Sequence, residues 1–520
     1  FITLLALTHA STLSTLGRPL FPWELVLVRQ AVNIWPYATA KFGVVPMLLG
    51  GVVLAGGLVF SLRVGPRFAW RSRAVLAGAV VAICLWLAPR PGDSLNGLGI
   101  THKQWVQLEN YRQNGLPLAF LMNLPAANVR APRDYSKERV EALLQRYPPR
   151  AGTGETPDVV VVMSESFFDV TRLPGVSFEA DPLPTLHRLQ REAASGTLYP
   201  PSFGGGTANT EFEVWTGNSV RWLPIGSVPY QQYVHRALPA LPRQFAERGY
   251  RTSAVHIFRR WFWDRDRVYP LLGFQRFVSE DDLKVEGGLF YPADTNLTRA
   301  VEQELDASEQ PLFLFAISVE AHGPFEAHRY PGDSLHVQGP LDDDARGELG
   351  TYAEAASHAD HELGELLTFL EKRARPTVVV FFGDHLPSLA KTLKQTGVLA
   401  SPDQLSTLDA TRRAFLYEVP LVLWSNQGNT PRALGAFSTN YLGPLVLREA
   451  GAPATSYSTF LEATRARFPV VTPQLLANAQ GEWLEAEPPE FQQVRDDWYL
   501  LEYDSMFGEQ FMPAGNSVAE

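Results

Sequence analysis

At 520 residues the chain is long enough for more than one domain and for a large buried core. A formal net charge of −10 argues against a nucleic-acid binder, which would carry a basic face or stripe. The single cysteine, Cys84, excludes an intrachain disulfide framework and a CxxC-type zinc or redox site.

The chain opens on FITLLALTHA, which reads as the tail of an apolar helix, so further membrane spans are expected before Phe1. Between Pro19 and Tyr37, Trp23, Leu25, Leu27, Val28, Val32 and Trp35 fit an interfacial helix or a packed core segment equally well. Val44 to Leu62 is an apolar run long enough to cross a bilayer, and Ala74 to Ala88 is a second, shorter one. Arg63, Arg67, Arg71 and Arg73 lie between them. If both runs span, the positive-inside bias makes that loop cytoplasmic and puts the following segment outside. The alternative is two buried helices of a soluble domain. The expected division is a membrane anchor over 1–90 with at least two transmembrane helices, a connector over 91–157, a catalytic domain over 158–480 and a tail over 481–520.

The connector is irregular, with PRPGD, APRDY and YPPRAGTGETP marking turns and Ser136 to Arg146 reading as a helix. From Asp158 short apolar runs recur: Val159–Met163, Thr252–Val255, Leu312–Ile317, Thr377–Phe382 and Val419–Trp424. Helical stretches separate them: Leu183–Ala194, Leu241–Arg248, Leu297–Leu305 and Tyr352–Lys372. Strands alternating with helices predict an α/β domain on a mostly parallel central sheet flanked by helices. The acidic, aromatic tail after Glu482 carries no recognisable motif.

Ligands in open α/β sheets collect at the carboxyl ends of strands. Four of the runs end in reactive residues: Glu165 after the first, His256 after the second, His322 beyond the third, and Asp384-His385 after the fourth. Any one alone could be a capping or solvated residue. Together, two carboxylates and an imidazole make a reasonable divalent-cation set. Ser202-Phe203-Gly204-Gly205-Gly206-Thr207 offers a nucleophile. Three glycines let backbone approach a ligand closely, and Thr207 stands where a helix could begin and bind phosphate on its free N–H groups. A flexible loop ending in an N-cap threonine is the plain alternative. Thr210 and Ser202 are hydroxyls of lower rank. His358 and His361, at i and i+3 of ASHADHE, read as a solvated helical face.

VVVVMSESFFD, FGGGTANTEF, SAVHIFRRWFWDRD, ISVEAHGPF and VVVFFGDHLP occur in the order and at about the separations found in lipoteichoic acid synthases and related phosphoglycerol transferases. The chain resembles that family, within the alkaline phosphatase/sulfatase superfamily, over about Asp158 to Ala450. The resemblance implies that Glu165, Thr207, Asp384 and His385 bind one Mn2+ or Mg2+, and that Thr207 takes up the phosphoglycerol group. It also implies that His256, Trp263, Arg265 and His322 line the substrate pocket. Arg265 can fork two hydrogen bonds to phosphate, unless it is held by Asp264 or Asp266. Trp263 offers an apolar wall, or ordinary core packing. The implied partners are a phosphatidylglycerol-type donor, an envelope glycan or polymer acceptor, and the membrane, with no nucleic acid. The implied location is the bacterial inner membrane, multi-pass, with the catalytic domain outside the cytoplasm. The triple glycine and the unmatched tail depart from the family pattern and leave the acceptor open. A phosphodiesterase or phosphatase, with water as acceptor, would use the same intermediate, and a non-catalytic scaffold would have lost a ligand. Formylglycine sulfatase chemistry is excluded, because no C/S-x-P-x-R motif stands at the nucleophile.

Overall fold

The structure, a computed structural model, describes residues 107–124, 129–286, 291–330 and 335–513, with isolated positions before 107. It divides into two compact units, Phe1–Arg130 and Ala131–Glu520. In the first, the helix Gln107–Met122 is broken at Gly115, whose φ of 71° suits glycine alone. Leu5, Leu20, Phe21, Tyr111, Ala119 and Phe120 form a small apolar cluster there. The expected membrane runs, Val44 to Leu62 and Ala74 to Ala88, and the arginine loop between them fall outside the described residues, Gly56 apart. Among the described residues no helix is long and apolar enough to cross a membrane.

The second unit is built on one eight-stranded sheet. Its strands are β1 (Asp158–Ser164), β2 (Ala194–Tyr199), β3 (Arg251–His256), β4 (Arg276–Ser279), β5 (Leu312–Ile317), β6 (Thr377–Gly383), β7 (Val419–Ser425) and β8 (Arg432–Ser438). They lie in the order β4-β3-β5-β1-β6-β7-β2-β8. From β4 to β6 every pairing is parallel, β7 runs antiparallel to both β6 and β2, and β8 is parallel to β2. The central strands read DVVVVMS and LFLFAI because both faces of a parallel sheet are covered by helices and must be apolar.

The five expected strands are present, each within a residue or two of the expected bounds. Three others were not legible. β4 is only four residues long. β2 and β8 carry Gly196 and Gly435, and β8 is the exposed edge, so neither shows a clean apolar run. The helical stretch Leu183–Ala194 proves shorter. The helix is Pro184–Glu192, and Ala194 already belongs to β2.

Residues on both flanks of the sheet belong to this same unit. The helix expected over Ser136 to Arg146 is Lys137–Gln145, with the Ser136 side chain as its cap. Arg139 and Arg146 from that region donate to the buried Asp497 at 3.0 and 2.8 Å. Asp497 lies on the C-terminal helix Pro489–Met506, which also buries Phe491 and Trp498. Within the described residues the acidic, aromatic tail is therefore packed structure over Pro489–Met506.

Candidate active site

The strand register decides which side chains meet. Ser164 of β1 lies opposite Gly383 of β6, so the residues after them, Glu165 and Asp384, emerge side by side. The Asp384 N–H donates to the Ser164 carbonyl at 3.2 Å and extends the ladder. A Cβ at Gly383 would come within 2.1 Å of the Phe167 carbonyl oxygen, so only glycine fits beneath this pair. Met163 is opposite Ile317 of β5, and Ser318 follows. The Ser318 hydroxyl accepts the Glu165 N–H at 2.9 Å and fixes the backbone at that carboxylate.

Thr207 comes from the other side. Gly204, Gly205 and Gly206 have φ of 70°, 149° and 94°, left-handed values that side chains rarely tolerate. Gly206 caps the helix Thr207–Thr216, and Thr207 is its first residue, as expected. Trp215 anchors the far end of this helix, edge-on to Phe315 of β5 with ring centroids 4.4 Å apart. The Thr207 hydroxyl donates to Glu165 Oε2 at 3.3 Å. The Thr210 hydroxyl donates to the Asp384 carbonyl at 2.8 Å, which commits its proton to structure.

Glu165, Asp384 and His385 each turn a ligand atom toward one point, all within 4.8 Å of one another, and all three are buried. Asp384 Oδ2 and His385 Nε2 lie 3.3 Å apart and find no hydrogen-bond partner among the described residues. Burial, then the neighbouring Glu165 carboxylate, pushes the Asp384 carboxyl up to about 7. Burial opposes protonation of His385, but Asp384 and Glu165 outweigh it and raise its pKa. His385 Nδ1 bonds the Leu386 carbonyl at 3.0 Å, which keeps Nε2 for the cluster. A buried carboxylate and a buried imidazole with orphaned ligand atoms, beside a second buried carboxylate, are unfavourable as they stand. A divalent cation between them would satisfy both, so the donor set fits one. Oxygen and imidazole donors without thiolate suit Mn2+ or Mg2+.

The other sequence candidates form a second group. His256 ends β3, and its Nδ1–H donates to the Ile317 carbonyl at 3.1 Å, leaving Nε2 as the accepting nitrogen. Burial, then the Arg265 charge, holds this imidazole well below the ordinary histidine range. His322 donates from Nδ1 to the Gly323 carbonyl at 2.7 Å. Trp263 sits in a turn with φ of 61°, half-buried, its ring 5.2 Å from Phe262. Arg265 is almost fully buried, at 1% exposure. Its Nε and Nη2 donate to Glu211 Oε1 at 3.0 and 2.6 Å. The holding acid is thus Glu211, on the Thr207 helix, and neither Asp264 nor Asp266.

Sequence reasoning missed Glu211, which also accepts from the Tyr269 hydroxyl at 2.9 Å. It stands inside FGGGTANTEF, four residues past Thr207. Phe258 and Tyr291 were missed as well. Phe258 packs against His256, Phe262 and Tyr291, and the Tyr291 ring lies tilted against His322 with centroids 4.9 Å apart. These rings make one aromatic wall between the two histidines. His358 is not merely solvated: its Nδ1 bonds the buried Glu320 at 2.7 Å, whereas His361 is exposed.

A buried acid–histidine cluster stands at the carboxyl edge of a mostly parallel sheet, beside a threonine that begins a helix, and residues 157–452 match the family described as Sulfatase. The chain belongs to that family, within the alkaline phosphatase/sulfatase superfamily. Across 522 residues, 95% of this chain and 79% of the other, it is 34% identical to a putative cyclic beta-1,2-glucan modification protein of Rhizobium meliloti. It is 26% identical to the lipoteichoic acid synthase of Staphylococcus saprophyticus over 250 residues, 45% of this chain and 36% of that protein. Its fold is similar to that of the Streptococcus pyogenes phosphoglycerol transferase GacH, solved in complex with sn-glycerol-1-phosphate. The TM-score is 0.59 at 22% identity, over 74% of this chain and 97% of that one.

Proposed function

We propose that the chain is a membrane-anchored phosphoglycerol transferase that moves glycerol phosphate from a phosphatidylglycerol-type lipid to an envelope glycan or polymer through a covalent threonine intermediate. The observation that carries this reading is the Thr207 hydroxyl at a helix N-terminus, 3.3 Å from Glu165 and facing the orphaned atoms of Asp384 and His385. The relatives that modify glucans or build lipoteichoic acid support a polymer hydroxyl as acceptor.

Glu165, Asp384, His385 and Thr207 would hold one Mn2+ or Mg2+. Such an ion supplies positive charge that acidifies a bound hydroxyl and neutralises phosphoryl oxygens. In the first half-reaction Thr207 Oγ forms a bond to phosphorus and the bond from phosphorus to the diacylglycerol oxygen breaks. The threonine's proton leaves with diacylglycerol. In the second, an acceptor hydroxyl attacks the same phosphorus, the Thr207 ester breaks and a proton returns to Thr207. Neutral His256, with Nδ1–H tied to a carbonyl, offers Nε2 to receive the proton of an entering hydroxyl, and His322 offers its Nε2 likewise. Arg265, with Nε and Nη2 held by Glu211, has Nη1 as its less engaged end and acts on phosphate from one side only. The phosphatidylglycerol headgroup meets the aromatic wall of Phe258, Trp263 and Tyr291.

Phosphatidylglycerol labelled in its headgroup glycerol tests this. Expected products are diacylglycerol and label on Thr207. Release of phosphatidic acid and free glycerol would overturn the transferase reading. Label that leaves only as glycerol phosphate, with envelope glycans present, would favour hydrolysis. The proposed outward orientation is checked by a reporter fused after Gly154, active only outside the cytoplasm. Cytoplasmic activity would reverse the topology.

A further inference from the structure

The carboxyl edge of the sheet carries a second feature that the chemistry above does not use. β2 and β6 point the same way, since both run antiparallel to β7. The segments that leave them therefore emerge together, and the Gly204 N–H donates to the Leu386 carbonyl at 3.0 Å. Beyond this contact lies a cavity of about 280 Å³ between Phe203 and Ser388 on one side and the segment Ala390–Ser401 on the other. Phe203 belongs to the nucleophile's own loop, and Ser388 stands three residues after His385.

The cavity surface is mainly apolar, from Phe203, Leu393 and Leu399, with Lys391 and Lys394 among its lining. The chain has only seven lysines, so two in one groove is a concentration of charge. Lys391 reaches Asp344 at 3.4 Å, but both side chains are more than half exposed, and such a pair holds weakly. Lys394 has no acidic partner among the described residues. The short helix Ala390–Gln395 is fixed in place. Glu348 Oε2 accepts from both the N–H and the hydroxyl of Thr392 at 2.8 Å, and Gln395 Oε1 accepts the Asp342 N–H at 2.8 Å. The groove is thus preformed.

An apolar floor with ammonium groups beside it suits an anionic amphiphile. A glycan would call for converging polar side chains, and here Ser388 and Ser401 are the only neutral polar ones. The volume is at the lower end for a ligand pocket, enough for part of a lipid and not the whole. We propose that this groove receives the diacylglycerol end of an anionic glycerophospholipid donor, with Lys391 and Lys394 set against phosphates of the lipid surface. The inference rests on the lipid-donor reading above and adds a place for the leaving group.

The test is photocrosslinking of the full chain in phosphatidylcholine micelles with phosphatidylglycerol that carries a diazirine in its acyl chain, followed by peptide mapping. Crosslinks are expected in 200–206 and 386–401. Charge reversal by K391E/K394E should reduce them at least about fivefold, and Ala400→Asp, at an exposed lining position, should do the same, with Tm held within a degree or two of wild type. In turnover, kcat/KM on phosphatidylglycerol should fall about tenfold more than kcat/KM on water-soluble glycerophosphoglycerol. Crosslinks that map elsewhere, or that survive both variants, overturn the groove. A neutral diacyl probe that labels the groove as strongly as the anionic one overturns the role of the lysines. Crosslinking needs no turnover. Failure of Thr207 to acquire label would sink the transferase while leaving the groove standing, and turnover without groove crosslinks would do the reverse.

Discussion

The helix Thr207–Thr216 joins two clusters of buried acids that were treated in opposite ways. At its start, Asp384 Oδ2 and His385 Nε2 are left without partners beside Glu165. Toward its end, Glu213 has every lobe engaged: Oε1 accepts from the Ser219 hydroxyl and the Val220 N–H at 3.2 and 3.1 Å, and Oε2 from Thr439 at 2.6 Å. Burial pushes the Glu213 carboxyl up to about 8, against the three hydrogen bonds it accepts. Glu211 between them is closed by Arg265 and Tyr269. A buried carboxylate completed by protein is architecture, and one left open at a strand end is a site for something the chain does not itself supply.

The largest expected effect breaks the open cluster. On the proposed mechanism Thr207→Ala should remove turnover by several orders of magnitude with little change in Tm, because nucleophile and metal would act as a unit. Asp384→Asn should lower kcat/KM by about 10²–10³, the scale of losing one preorganised electrostatic group. Titration calorimetry should show weakened Mn2+ binding. In chelator the same variant should melt no lower than wild type, since it removes one of two crowded carboxylates. A clear loss of Tm there would mean that Asp384 is structural.

Glu211→Ala breaks a closed site. It strands Arg265 in the interior and should cost about 3–5 kcal/mol of unfolding free energy, read from denaturant melts. A near-neutral result would show that water replaces the carboxylate and that the pair is not sealed.

The smallest effect sharpens the contrast through pH. The unfolded chain loses the Glu213 proton near pH 4.3, and the folded chain keeps it to about 8. Between those values the unfolded state binds fewer protons, so this group's contribution to stability falls as pH rises. Glu213→Gln should therefore gain on wild type by up to about 1.4 kcal/mol per pH unit across that window, and by nothing below it. A pH-independent difference in denaturant midpoints would show that Glu213 is charged in the fold.

Much of the open cluster was legible because its signals are local. Apolar runs ending in Glu165, His256 and Asp384-His385, and three glycines before Thr207, need only neighbouring residues to be read. The closed clusters were not. Glu211 and Glu213 meet partners more than fifty and two hundred residues away, and within TANTEFEVW they look like the polar side of an ordinary helix.

From its sequence alone the chain declared the α/β alternation, the order of the motifs and the polar residues that stand at the strand ends, since backbone periodicity and side-chain chemistry are carried locally. The tertiary structure decided which of them meet. The pairing of Ser164 with Gly383 brings together residues more than two hundred positions apart, and a slip of one residue in that register would turn Glu165 to the other face of the sheet. It also decided that Arg265 serves Glu211, and that the helix Pro489–Met506 packs its apolar side into the second unit. Those outcomes depend on long-range packing and on which polar groups burial leaves without water, and neither is written in any short stretch of chain.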